Sequence, residues 1–368
     1  MEQFLRQLQT IPEAAELIRR VEEGGCPAAV SGLQPVQRAC VGAAVAAACG
    51  RPAVFLCGDE REVQVLSADL ETLTGRRPVT LLGREWQFRP GAVGSRDWER
   101  SRLAALYALA QGDAPVVVAT ADGLMARTLP PETLRSLAIT LEVGGQAELG
   151  ALAEQLLSAG YTRCEQVEGV GQFALRGGIL DVFSPLMDQP VRCEFFDDEI
   201  DSMGAFDPGT QRRTRNVSSA RILPAAEVLP HCAPGGLPGL ADQLTALAEK
   251  LAKKQKTEAI VQTLREDAER LRSGAAPGAA DRYLAAIYPT VTAGVHYLPP
   301  DAVVFLSESG RVDERVKNTV LQQKQDVEAL LSAGVLAGEY AHLTLTAEEL
   351  YAALEDFPVI LEDSLPTP

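Results

Sequence analysis

Histidine is almost missing from this chain, with three in 368 residues, and none is spaced with a serine, cysteine or aspartate as a nucleophile with its base would be. A hydrolytic centre has little to be built from. The seven cysteines, at 26, 40, 49, 57, 164, 193 and 232, never form a CxxC pair, so neither a zinc ribbon nor a disulfide framework is indicated. Set mostly in apolar runs, they read as buried thiols of a reducing compartment. His231 and Cys232 are adjacent, but two ligand-type side chains at a proline-flanked turn read as structural, and no metal is expected. No apolar run approaches the ~20 residues of a membrane helix, and the opening MEQFLRQLQTIPEAAELIRR lacks the apolar core of a secretion signal. A cytoplasmic protein is expected. Positive charge is short as well: 34 Lys and Arg against 50 Asp and Glu give a net −16, the wrong sign for binding DNA through its phosphates. Nucleic-acid contact would have to be local, or belong to another part of a longer protein.

What the chain does have is length for two or three domains and a βα rhythm. Ala28 to Ser31, a loop opened by Gly32, a small-residue helix from about Val36 to Cys49, and Ala53 to Cys57 make a βαβ unit. Helix from Glu62 to Leu73, strand from Val79 to Leu82, helix from Glu99 to Gln111 and strand from Pro115 to Thr120 continue it. The pattern predicts a doubly wound parallel sheet. Against G-x-x-x-x-G-K-[ST], the frame at Gly32 offers Gln37, Arg38 and Ala39 where glycine, lysine and a hydroxyl residue should stand. Gln37 removes the permissive backbone and Ala39 the oxygen for Mg²⁺, while Arg38 keeps only a positive charge. A plain βα turn that never bound phosphate would carry the same residues. The buried strand at Val303 to Leu306 ends in Ser307-Glu308-Ser309, with one acid where a nucleotide hydrolase holds its metal.

Composition changes after Leu129-Pro130-Pro131. Ser136 to Val143 reads as a strand, Gln146 to Ser158 as an amphipathic helix, and Gly160 to Gln211 as a meander of short strands broken by Gly and Pro. Arg221 to Pro224 reads as the chain re-entering the first sheet. In Gln172 to Arg176 alternation buries Phe173 and Leu175 and turns Gln172, Ala174 and Arg176 outward. In Val191 to Phe196 it buries Val191, Cys193 and Phe195 and turns Arg192, Glu194 and Phe196 outward. An outward phenylalanine beside an arginine fits a protein-binding surface, because those residue types anchor such surfaces. The alternatives are a ring capping the sheet beneath a neighbouring segment, ordinary solvated strand arginines, and a bulge at Gly177-Gly178 that would invert the parity after it. Farther on, 235–272 and Arg311 to Leu331 read as helices and Pro358 to Leu361 as a strand. So abrupt an ending, Leu365-Pro366-Thr367-Pro368, suggests a fragment.

The runs GYTRCEQVEGVGQFALRGGILDVFSP, VRCEFFDDEIDSMGAFDPGTQR and ILPAAEV resemble the UvrB-homology module at the N-terminus of the bacterial transcription-repair coupling factors. The resemblance covers essentially the whole chain and is most specific between Gly160 and Glu227. It implies a degenerate helicase-like (RecA-type) α/β domain, residues 1–135 and 216–368, interrupted by an α+β insert at 136–215 that binds UvrA. UvrB itself differs in having an intact phosphate loop, an acidic pair, and a Tyr-rich hairpin for which the tract from Thr80 to Asp97 is too short. Carried over by position, the UvrA-contacting residues fall on Arg176, Arg192 and Phe196, and the degenerate nucleotide loop on Gly32, Gln37, Arg38 and Ala39. The resemblance implies recruitment of UvrA to stalled RNA polymerase with no catalysis or cofactor in this chain. Polymerase binding, the DNA translocase that uses ATP and Mg²⁺, and a C-terminal domain masking the UvrA site would belong to segments outside it. Two other readings stay open, a divergent P-loop hydrolase and a UvrB-like binder of damaged DNA using Trp86 and Trp98.

Overall fold

In the computed structural model residues 2–90 and 97–365 are described. Strands β1 (Ala28–Ser31), β2 (Ala53–Cys57), β3 (Val79–Leu81) and β4 (Val116–Thr120) come first. Then follow β5 (Ile139–Glu142), β6 (Thr162–Arg163), β7 (Gln172–Arg176), β8 (Ile179–Val182), β9 (Val191–Phe196), β10 (Glu199–Phe206), β11 (Arg213–Asn216) and β12 (Ser219–Ile222). Strands β13 (Val303–Ser307) and β14 (Val359–Asp363) complete the set. The expected class holds. A parallel six-stranded sheet in the order β1-β14-β13-β2-β4-β3 is interrupted in sequence by a six-stranded sheet, β11-β10-β9-β8-β7-β6, antiparallel except at β6 and β7.

Alternation within the central strands divides the parallel sheet's burial between two cores. Val54 and Leu56 face one side with Val117 and Val304, while Ala53, Phe55 and Cys57 face the other with Val118 and Phe305. Every residue of β2, β4 and β13 is buried, as expected of strands covered on both faces. The small-residue helix, Pro35–Cys49, owes its composition to how closely it lies on the sheet. Phe55 and Phe305 stack at 4.9 Å, and a Cβ at Gly42 would come within 2.5 Å of the Phe55 ring. A larger residue there would push the helix off.

In the insert, helix Leu149–Ser158 lays Leu152 and Leu156 onto Phe173, Leu180, Cys193 and Met203. Glu148 caps it, accepting from the Gly150 and Ala151 amides at 2.8 and 2.7 Å, which satisfies two of the otherwise orphaned donors. Three expectations need correcting. The stretch read as a strand from Ser136 begins inside a helix, Pro131–Leu137, and only Ile139–Glu142 is extended. Arg221 and Ile222 do not rejoin the parallel sheet; β12 pairs with β5 as an antiparallel two-stranded neck, Ile222 opposite Ile139. Ala174 is not outward but buried in a second, small core with Val167, Phe183 and Phe206, because part of the sheet's other face is covered too. Of the seven thiols only Cys57 and Cys193 are fully buried; burial pushes the Cys193 thiol up to about 12.

Candidate functional site

Gly177 and Gly178 form a two-residue hairpin turn, with Arg176 opposite Ile179 and Gly177 at φ 58°. No bulge falls there and the parity survives; the register shifts lie in β10, between Ile200 and Ser202 and between Ala205 and Phe206. The turn places Asp181 opposite Ala174 on one side and Arg192 on the other, so Arg176, Asp181, Arg192 and Phe196 share one face. Asp181 is fully buried. It accepts from Arg192 Nε at 2.7 Å and Nη2 at 2.8 Å, and from Arg176 Nη2 at 2.7 Å. Sequence reasoning missed this carboxylate. Its signal was the glycine turn, which fixes the β7–β8 register.

The three expected contact residues are thus brought together, but not as equals. Phe196 is 75% exposed, at the end of β9 before a turn with Asp197 at φ 53°. The Arg176 side chain is 48% exposed and Arg192 only 20%. Arg192, expected among the UvrA-contacting residues, already grips Asp181 with two nitrogens, and its guanidinium stacks 4.6 Å above the Phe206 ring. That hydrogen bonding raises its pKa further. Glu194 completes the face, accepting from Ser202 Oγ at 2.7 Å. The arrangement offers an apolar knob, a half-exposed cation and a rigid base. It suits a pocket with an acidic rim.

At the degenerate loop the helix begins at Pro35, so Gln37, Arg38 and Ala39 lie within its first turns instead of wrapping an anion. Pro35 has no amide to offer. Gln37 turns its side chain back to accept the Gln34 amide at 2.8 Å, and the Leu33 amide is held by the Asp363 carbonyl at 3.2 Å. Ala39 is wholly buried and Gly32 sits at φ +85°. Arg38 does more than keep a charge. Buried, it donates to the Glu308 carboxylate and lies 3.6 Å from Glu62, which also accepts from Ser307 Oγ at 2.7 Å and from the Gly58 amide at 3.3 Å. The residue in the lysine position is therefore neutralised by the acid in the metal-holding position. Glu362, fully buried nearby, is pushed well above the ordinary glutamate range by burial, against the pull of Arg38.

Both tryptophans pack around Arg84. The Arg84 guanidinium lies 4.1 Å over the Trp86 ring and 6.0 Å from that of Trp98, and Trp86 stacks on Phe88 at 6.1 Å. Trp98 belongs to a helix, Asp97–Ala110, rather than to the loop, and residues 91–96 lie outside the described ones. Among the described residues no group of three or more His, Cys, Asp or Glu could hold a metal ion, and no helix is long and apolar enough to cross a membrane.

A family model described as the UvrB interaction domain matches residues 139–227. The chain is similar to the transcription-repair-coupling factor of Bacillus subtilis, 29% identical over 86% of this chain and 27% of that protein. It is 35% identical to the one from Myxococcus xanthus over 66% of this chain and 20% of the relative. With the one from Escherichia coli it shares 34% over 48% and 15%. The resemblance read from the sequence is borne out over most of the chain, which spans about a quarter or less of the length of these relatives.

Proposed function

We propose that this chain is a recruitment module for transcription-coupled excision repair, which docks UvrA on the outer face of its insert and hydrolyses no nucleotide. The observation that carries this reading is Phe196, a large ring three-quarters exposed on a sheet face stiffened by the buried Asp181 carboxylate. An aromatic anchor on a rigid base keeps the ordering cost of binding low. The interruption of the parallel-sheet domain by the insert, expected over 136–215, supports a division of labour between a scaffold and a presenting unit. The internal pairing of Arg38 with Glu308 and Glu62 supports a scaffold without cofactor, since the charge that would meet phosphate is already met. RNA polymerase and DNA would be engaged by segments beyond this chain.

Titration of UvrA into the chain is expected to give saturable binding that is unchanged by ATP and Mg²⁺, with no ATP turnover by the chain alone. Saturable turnover lost on Arg38→Ala would support the divergent hydrolase instead.

A further inference from the structure

The antiparallel sheet ends on β11, whose exposed side chains include Arg213 and Arg215 and which follows exposed Arg212. Arginines elsewhere in this acidic chain are often neutralised, as Arg176 and Arg192 are by Asp181. Among the described residues these three lie within 4.0 Å of no carboxylate. Arg213 donates to the neutral Ser202 hydroxyl at 3.1 Å. It also lies flat over Gly204, since a Cβ at that position would come within 2.0 Å of its Nε. Gly204 is the direct cross-strand partner of Arg192, so Arg213 rests on the face that carries Arg192 and Phe196, whereas Arg215, opposite Ala205 and through it Val191, turns to the other face. From β9 to β11 is two strand spacings, about 10 Å.

Resting on the docking reading above, we propose that this edge extends the UvrA-docking face and receives a carboxylate-rich surface of the same partner. The charge of Arg192 is already engaged with Asp181, so Arg213, with no carboxylate within 4.0 Å among the described residues, is the cation this edge adds to the face. Exposed charges at the rim of an interface act chiefly on encounter and its salt dependence, while a central anchor acts on residence time. The two parts of the face are therefore separable by kinetics.

The test is association and dissociation of the chain with UvrA, followed at low and high ionic strength. Arg213→Glu is expected to slow association about fivefold at low salt, with little change in dissociation, and the gap should close as salt screens the exposed charge. The milder Arg213→Gln should slow it about twofold, which keeps the test sound if charge reversal disturbs folding. Unchanged association in both variants would overturn the proposal. So would salt-dependent binding of duplex DNA that the reversal abolishes while UvrA association stays intact, because the strip would then serve nucleic acid. Failure of the docking reading is distinguishable: Phe196→Ala would then leave UvrA affinity unchanged whatever β11 does.

Discussion

Phe196→Ala is expected to weaken binding of UvrA by about thirtyfold or more, the equivalent of roughly 2 kcal/mol for a central aromatic anchor. The thermal midpoint should move by no more than about a degree or two. The two expectations have one cause. A ring that is 75% exposed contributes little packing to the folded chain, so nearly everything it buries is buried against the partner. Calorimetric titration together with thermal unfolding of the same sample checks both. Equal affinity would move the interface elsewhere, and a large fall in midpoint would make Phe196 a structural residue. Arg192→Ala should behave differently, lowering binding and stability together, because it strips the buried Asp181 of its two-nitrogen partner.

Glu227→Ala is expected to be the most destabilising single change outside the apolar cores, at about 3–5 kcal/mol. Glu227 stands where the chain leaves the insert, fully buried. Arg102 Nε lies 2.9 Å and Arg84 Nη1 3.7 Å from its carboxylate, and Thr128 Oγ1 donates to it at 2.6 Å. Removing it leaves Arg102, also buried, without its ion-pair partner. For a unit of this size the thermal midpoint should fall on the order of 10 °C. Burial alone would raise the Glu227 pKa, but Arg102 and Arg84 outweigh it and hold the carboxyl below its ordinary value of 4.5. A depressed carboxyl stabilises the fold above about pH 4.5 and loses that contribution as pH falls through its folded value. The gap between the original chain and Glu227→Ala should therefore be full at neutral pH and narrow on acidification. A gap independent of pH would contradict the assignment.

Strand parity made the outward turn of Phe196 legible, because β9 alternates without interruption and its inward residues are large or sulfur-bearing. It misplaced Ala174, since alternation distinguishes two faces and cannot tell that part of the second face is covered by Val167, Phe183 and Phe206. The Asp181 to Arg192 pair depends on the β8–β9 register, which the loop between Val182 and Val191 leaves open in sequence. Pairs such as Arg38 with Glu308 are hidden for a simpler reason, lying 270 positions apart beyond the ends of strands β1 and β13, which share the parallel sheet only through crossover connections. The missing parts of the phosphate loop could be read from its letters. What replaced them could not, because a filled site is a matter of which distant carboxylates arrive.

Photocrosslinking tests the central claim most directly. A benzophenone side chain placed at position 196 should yield an adduct with UvrA, while the same group at position 37, in the former nucleotide turn, should yield none. An adduct from position 37 with none from position 196 would contradict the account.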